Sequence, residues 1–134
     1  MTSNCSRSAL AVLAACLVFL PGCHRPAKDS GPLYIMLMFN GGACEQNGSS
    51  GVIEAAQDRV IIYQTAAELA EFEVRFVACP FGSCPVSSPH GMSVNVGKPN
   101  PGTAGTTFTY AGVKIDNQPC NNASSMGLRV KLAP

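Results

Sequence analysis

The side chains best equipped for chemistry fall in one stretch, Cys79-Pro-Phe-Gly-Ser-Cys84-Pro-Val-Ser-Ser-Pro-His90-Gly-Met92. Two thiols, an imidazole and a thioether are the ligand types that soft metals such as copper select. Zinc needs closely spaced ligand pairs with further ligands nearby. Here only Cys79 and Cys84 are close, and His90 is the single histidine beyond the N-terminal segment. Hydrolysis would need His90 beside Ser87, Ser88 or Ser93 and an orienting acid, and no nucleophile-elbow sequence surrounds these serines. A Cys–His nucleophile would require Cys79 or Cys84 as a free thiol. Glu68, Glu71 and Glu73 read as a solvated face before and along a strand. The expectation is a chain with no catalytic residues, no metal and no cofactor.

Whether these thiols stay reduced depends on compartment, and the N-terminus speaks to that. Met1–Ser8 carries one basic side chain, Arg7, and Ala9–Leu20 is uncharged. As a helix the apolar run would span about 18 Å at about 1.5 Å per residue, short of a bilayer core of about 30 Å. Length and flanks fit a signal peptide. Leu20-Pro21-Gly22-Cys23 then resembles a bacterial lipobox, with Pro21 the less typical residue. That resemblance implies cleavage before Cys23, giving a signal peptide of residues 1–22. It also implies a thioether-linked diacylglycerol on Cys23, usually with an added N-acyl group, so that the membrane is a partner through this anchor. His24, in place of the aspartate that retains such proteins at the inner membrane, implies an outer membrane facing the periplasm in a Gram-negative cell. Residues 23–32 form the lipidated cysteine and a polar tether, kept from helix by Pro26, Gly31 and Pro32, and the folded domain is expected over residues 33–134.

Cys5 and Cys16 leave with the signal peptide, and Cys44, Cys79, Cys84 and Cys120 remain. An even number in an oxidising compartment implies two disulfides, for which three pairings exist. Cys79–Cys84 with Cys44–Cys120 is the preferred set, because Pro80 and Gly82 let the short segment turn back on itself. Clamped in this way, the loop bearing Phe81, His90 and Met92 is a candidate binding loop, with Phe81 either anchoring in a partner or covering its own core.

The elements that must hold this loop read as short strands. Leu33–Phe39 is a continuous apolar run of the kind found in a central or doubly covered strand, stopped by Asn40-Gly-Gly42. Asn47–Gly51 is a turn cluster, Val52-Ile53 starts a short strand, and Arg59–Gln64 is β-branched and aromatic. Thr65–Glu71 is the only stretch with helical character, with Thr65 and Glu68 spaced as a capping box. Phe72–Ala78 alternates, with Phe72, Val74, Phe76 and Ala78 inward. Met92–Val96 and Thr106–Tyr110 follow, and a bulge near Gly112 would bring Val113 and Ile115 into phase. Met126–Leu132 closes the series, with Leu128, Val130 and Leu132 inward and Arg129 and Lys131 guarding an edge. Some seven short strands separated by turns predict an all-β fold, a small antiparallel Greek-key β-sandwich.

Composition narrows the function classes. Nine basic and eight acidic residues nearly cancel, and no basic stripe suggests nucleic-acid binding. The Asn-X-Ser sequons at Asn47 and Asn122 read as incidental. Arg59–Tyr63, Phe72–Phe76, the Cys-Pro-Phe loop, Phe108–Tyr110 and Gly127–Val130 follow one another in an order similar to that of small bacterial cupredoxin-like domains. That resemblance implies a sandwich and, as an alternative function, copper electron transfer. The Cys84, His90 and Met92 spacings depart from the family, and the second histidine is missing. The reading is therefore a lipid-anchored cell-envelope protein with a disulfide-stabilised β-sandwich, serving as a non-catalytic structural or protein-binding module with an envelope protein as candidate partner.

Overall fold

A computed structural model describes residues 31–67 and 70–134. Cys23, the signal segment and Glu68 lie outside the described residues. Ten strands and one 3-10 turn, Ala123–Ser125, make up the fold. The strands are β1 (Leu33–Asn40), β2 (Ala43–Gln46), β3 (Val52–Ala56), β4 (Ile61–Thr65), β5 (Phe72–Phe76), β6 (Val86–Ser88), β7 (Val94–Gly97), β8 (Thr107–Ile115), β9 (Gln118–Pro119) and β10 (Gly127–Lys131). One sheet runs β2-β1-β4-β7 and the other β3-β10-β8-β5-β6, with β9 also paired to β8. The two pack face to face as an all-β sandwich. The sheets are mixed: β1 pairs with β4 and β3 with β10 in parallel, while the remaining pairs are antiparallel.

Turn chemistry sets the antiparallel registers. Gly41 and Gly42, both at positive φ, connect Asn40 to its partner Ala43, the conformation a two-residue hairpin needs. Asp116 and Asn117, also at positive φ, do the same between Ile115 and Gln118. Gly127 answers a different demand: a Cβ there would lie 2.6 Å from the Phe108 carbonyl oxygen, so the close approach of β10 to β8 admits no side chain. The expected bulge is present. Arg75 pairs with Gly112 and Phe76 with Tyr110, which leaves Ala111 as the extra residue, and Phe108, Tyr110, Val113 and Ile115 all end up buried.

Several local expectations are corrected. The apolar run of β1 is covered on one face only: Ile35 and Leu37 are buried, but Tyr34, Met36 and Met38 are exposed. Methionine is apolar in sequence yet tolerates the surface, so the run concealed an alternation. β10 is not an edge, because β3 and β8 flank it, and Lys131 reaches Glu54 on β3 at 3.6 Å. Leu132 and Ala78 lie past the ends of their strands and are exposed. Met92 precedes β7 rather than opening it. Within the stretch expected to have helical character, the described residues 65–67, 70 and 71 are not helical, and the Thr65 hydroxyl donates to the carbonyls of Ala67 and Ala70.

The core holds a fully connected polar chain. The Tyr63 hydroxyl on β4 lies 2.9 Å from that of Tyr110 on β8, and Tyr110 donates to Gln46 Oε1 at 2.6 Å. Gln46 Nε2 donates to the carbonyls of Gly51 and Gly127 at 2.9 and 2.8 Å. With the Tyr110 proton committed to Gln46, Tyr63 is the donor in the tyrosine pair. Among the described residues no buried side-chain polar atom lacks a partner. Burial pushes both phenols well above their ordinary value, so both remain neutral.

This chain of bonds makes the two tyrosines unequal. Tyr110→Phe orphans both the Tyr63 proton and Gln46 Oε1 and should cost about 2–4 kcal/mol, whereas Tyr63→Phe removes one bond and should cost about 1 kcal/mol. In urea melts the double variant should lose less than the sum of the singles. Alkali should unfold the protein. Above pH about 10 the unfolded phenols release protons that the folded ones retain, so stability is full below that pH and falls above it by about 1.4 kcal/mol per tyrosine per pH unit. Equilibrium melts between pH about 9 and about 11 should show this slope and its reduction in the double phenylalanine variant.

Candidate functional site

The Cys79–Met92 segment is the place to look for a site, and its chemistry begins with its cysteines. Cys79 and Cys84 are joined, with Cα atoms 5.9 Å apart, and Cys44 is joined to Cys120, with Cα atoms 5.5 Å apart. These are the pairs preferred from the spacing. Cys84 therefore has no thiolate to offer a copper ion, and neither cysteine of the loop is a nucleophile. Among the described residues no group of three His, Cys, Asp or Glu side chains is placed to hold a metal.

The three residues singled out for binding separate in space. Phe81 is 3% exposed and stacks edge-on against Tyr63 and Phe76, with ring centroids 6.5 and 5.8 Å away. It covers its own core and cannot anchor in a partner. His90 and Met92 lie at the surface. The loop is thus a plug rather than a projection. Besides the disulfide and the phenylalanine, Asn100 holds it: its backbone N–H donates to Pro80 O at 2.8 Å and its Nδ2 to Phe81 O at 3.0 Å. Gln57 Nε2 and the Thr103 hydroxyl in turn donate to the Asn100 carbonyl. Asn100 escaped notice in the sequence because it sits within Lys98-Pro-Asn-Pro-Gly102, a stretch that reads only as a loop. An asparagine flanked by two prolines, fixed in place and able to donate twice, was the available signal.

Several shallow grooves lie beside the plug among the described residues, two of them bordered by β6. One, of about 300 Å³, is lined by Glu71, Glu73, Ser87, Ser88, Lys114 and Asn117 with Phe72 and Pro89. Glu73 stands between Ser87 on β6 and Lys114 on β8 in the strand register, and its carboxylate accepts from Arg75 Nε at 2.9 Å. His90 is not among the lining residues, and the ionisable groups beside the two serines are Glu71, Glu73 and Lys114. The other groove, of about 350 Å³, runs between the edge strands β6 and β7 and is lined by Gly82, Ser83, Pro85, Val86, Ser87 and Val94–Val96. Its walls mix small polar and apolar side chains and rest on the disulfide-clamped loop.

The asparagines of both sequons are in structural use. Asn47 Oδ1 accepts from Met36 N and its Nδ2 donates to Tyr34 O. Asn122 brackets Cys44 in the same way, accepting from its N–H at 2.8 Å and donating to its carbonyl at 2.9 Å. Each side-chain amide completes a strand's hydrogen bonding where no neighbouring strand does so.

No protein-family model matches this chain, and no curated protein matches it.

The two disulfides should differ in weight. Closing the 76-residue separation of Cys44 and Cys120 should contribute about 4.5 kcal/mol in the chain-entropy model, against about 2 kcal/mol for the separation of 5 between Cys79 and Cys84. Denaturant midpoints of the Cys44→Ala/Cys120→Ala and Cys79→Ala/Cys84→Ala variants should fall in that order, and Phe81→Ala should cost about 3–4 kcal/mol.

Proposed function

We propose that this chain is a lipid-anchored protein of the cell envelope whose β-sandwich is a non-catalytic structural or protein-binding module. The observation that carries the reading is that all four cysteines beyond Cys23 are paired in disulfides. Such bonds persist in oxidising compartments and are rare in the cytosol. That agrees with an N-terminal segment of signal-peptide form ending in Leu20-Pro-Gly-Cys23. Anchorage through several acyl chains is lasting, since each buried methylene contributes about 0.8 kcal/mol.

A binding role rather than turnover is supported by the loss of both loop thiols to a disulfide. The groove between β6 and β7 is the surface best suited to a protein partner. It is bounded by edge strands, which lend themselves to strand addition, and the clamped loop beside it costs little entropy to order.

Mass spectrometry of the protein from a membrane fraction tests the anchoring. The expected species begins at Cys23, carries diacylglycerol and contains no free thiol, and Cys23→Ala should move the protein to the soluble fraction. Recovery of an uncleaved, reduced chain from cytosol would overturn the reading. Envelope interactions left unchanged by Val96→Glu, which places a charge in the β6–β7 groove, would argue against binding there.

A further inference from the structure

The two outer faces of the sandwich are chemically opposite. Strands β3, β5, β8 and β10 carry Glu54, Glu73, Arg75, Lys114, Arg129 and Lys131, while the four strands of the other sheet hold one charged residue, Glu45. On that second sheet Tyr34, Met36 and Met38 of β1 point outward, at 51%, 38% and 42% exposure. Ile62 on β4, paired with Tyr34, extends the stripe. Glu45 and Asn40 lie at the far end of β1, where Asn40 Nδ2 meets Glu45 Oε2 at 3.5 Å, and the uncharged polar Gln64, paired with Met36, and Asn95, paired with Ile62, share the face.

We infer that this face lies against the lipid surface to which the chain is anchored; the inference rests on the lipidation of Cys23 proposed above. The place where the tether joins the domain selects the occupant. β1 starts at Leu33, so the chain from Cys23 enters at the Tyr34 end of the stripe, away from Glu45, and Tyr34 is the first strand residue to face outward. Arg59 fixes that entry, donating to the carbonyls of Gly31 and Pro32 at 3.0 and 3.3 Å. The residues before that fixed entry, 24–30, reach about 23 Å at about 3.3 Å each, so the Leu33 end of the sheet can rest on the bilayer that holds Cys23. Anchoring raises the local concentration of lipid to the point where a contact too weak to recruit a free protein is occupied. Tyrosine is enriched at membrane interfaces, and methionine adapts to irregular surfaces. With no lysine or arginine in the strands of this sheet, the contact should not depend on anionic lipid or on salt.

The chain has no tryptophan, so Tyr34→Trp supplies a single reporter. The full lipidated protein, its Cys23 modification checked by mass, would be placed in phosphatidylcholine vesicles containing acyl-brominated lipid. The Tyr34→Trp reporter should be quenched at least about two-fold, equally at low and high salt (about 50 and about 500 mM), whereas Lys114→Trp on the charged sheet should not. In the unsubstituted protein, peroxide should oxidise Met36 and Met38 at least about five-fold more slowly than Met92, whose 68% exposure is less than twice theirs. Equal quenching at both positions, or no quenching together with equal methionine oxidation, overturns the inference. A blue-shifted but unquenched reporter at position 34 also overturns it and assigns the face to a second copy or another protein. An unmodified Cys23 is read separately by mass and defeats the anchoring itself.

Discussion

The sandwich depends on one chain of hydrogen bonds buried where a core would ordinarily be apolar. Tyr63 belongs to one sheet and Tyr110 to the other, and their hydroxyls meet between them. Gln46 terminates the chain by donating to Gly51 and Gly127, the residues at the start of the parallel β3–β10 pair. Parallel partners so distant in sequence have no tight turn to fix their register. A glutamine that reaches both strands at their first rung fixes it instead. A purely hydrophobic contact would tolerate sliding of one sheet over the other; a polar chain with each proton committed does not, because any shift leaves a buried donor or acceptor unpaired.

The same economy of polar groups governs the periphery. Asn122 and Asn47 use side-chain amides to complete strands that lack a neighbour, and Asn100 uses one to hold the plug. Cys44–Cys120 ties β2 to the segment that carries Asn122, a short distance along the chain. In a domain of about one hundred residues the core alone leaves a small stability margin, and these ties reduce the freedom of loops that would otherwise oppose folding. Phe81 serves the same end by filling the space beside Tyr63 and Phe76.

Strands were legible wherever alternation was clean, as in Phe72–Phe76, and the phase break between Tyr110 and Val113 located the bulge at Ala111. The paired cysteines were legible because Pro80 and Gly82 announce a turn. Three features were not. The one-sided burial of β1 was hidden because methionine and tyrosine count as apolar in a pattern yet sit comfortably at a surface. The inner position of β10 was hidden because Arg129 and Lys131 suit an edge and an outer sheet face equally well. The polar chain was hidden because Gln46, Tyr63 and Tyr110 are far apart in sequence and none carries a local signal of burial. Of the candidate binding residues, Phe81 illustrates the ambiguity best, since an aromatic side chain in a rigid loop serves a partner's pocket and its own core by the same apolar area.

What the fold leaves for function follows from what it consumes. The loop thiols are oxidised, both core phenols are committed within the polar chain, and the sequon amides are engaged with backbone. The distribution of charge then becomes the most informative property: one sheet meets water with acids and bases, while the other presents methionine, tyrosine and isoleucine. In a freely diffusing protein such a face invites aggregation, and it is tolerable only if something covers it. The lipid anchor proposed at Cys23 would bring such a cover to the edge of that face, where β1 begins.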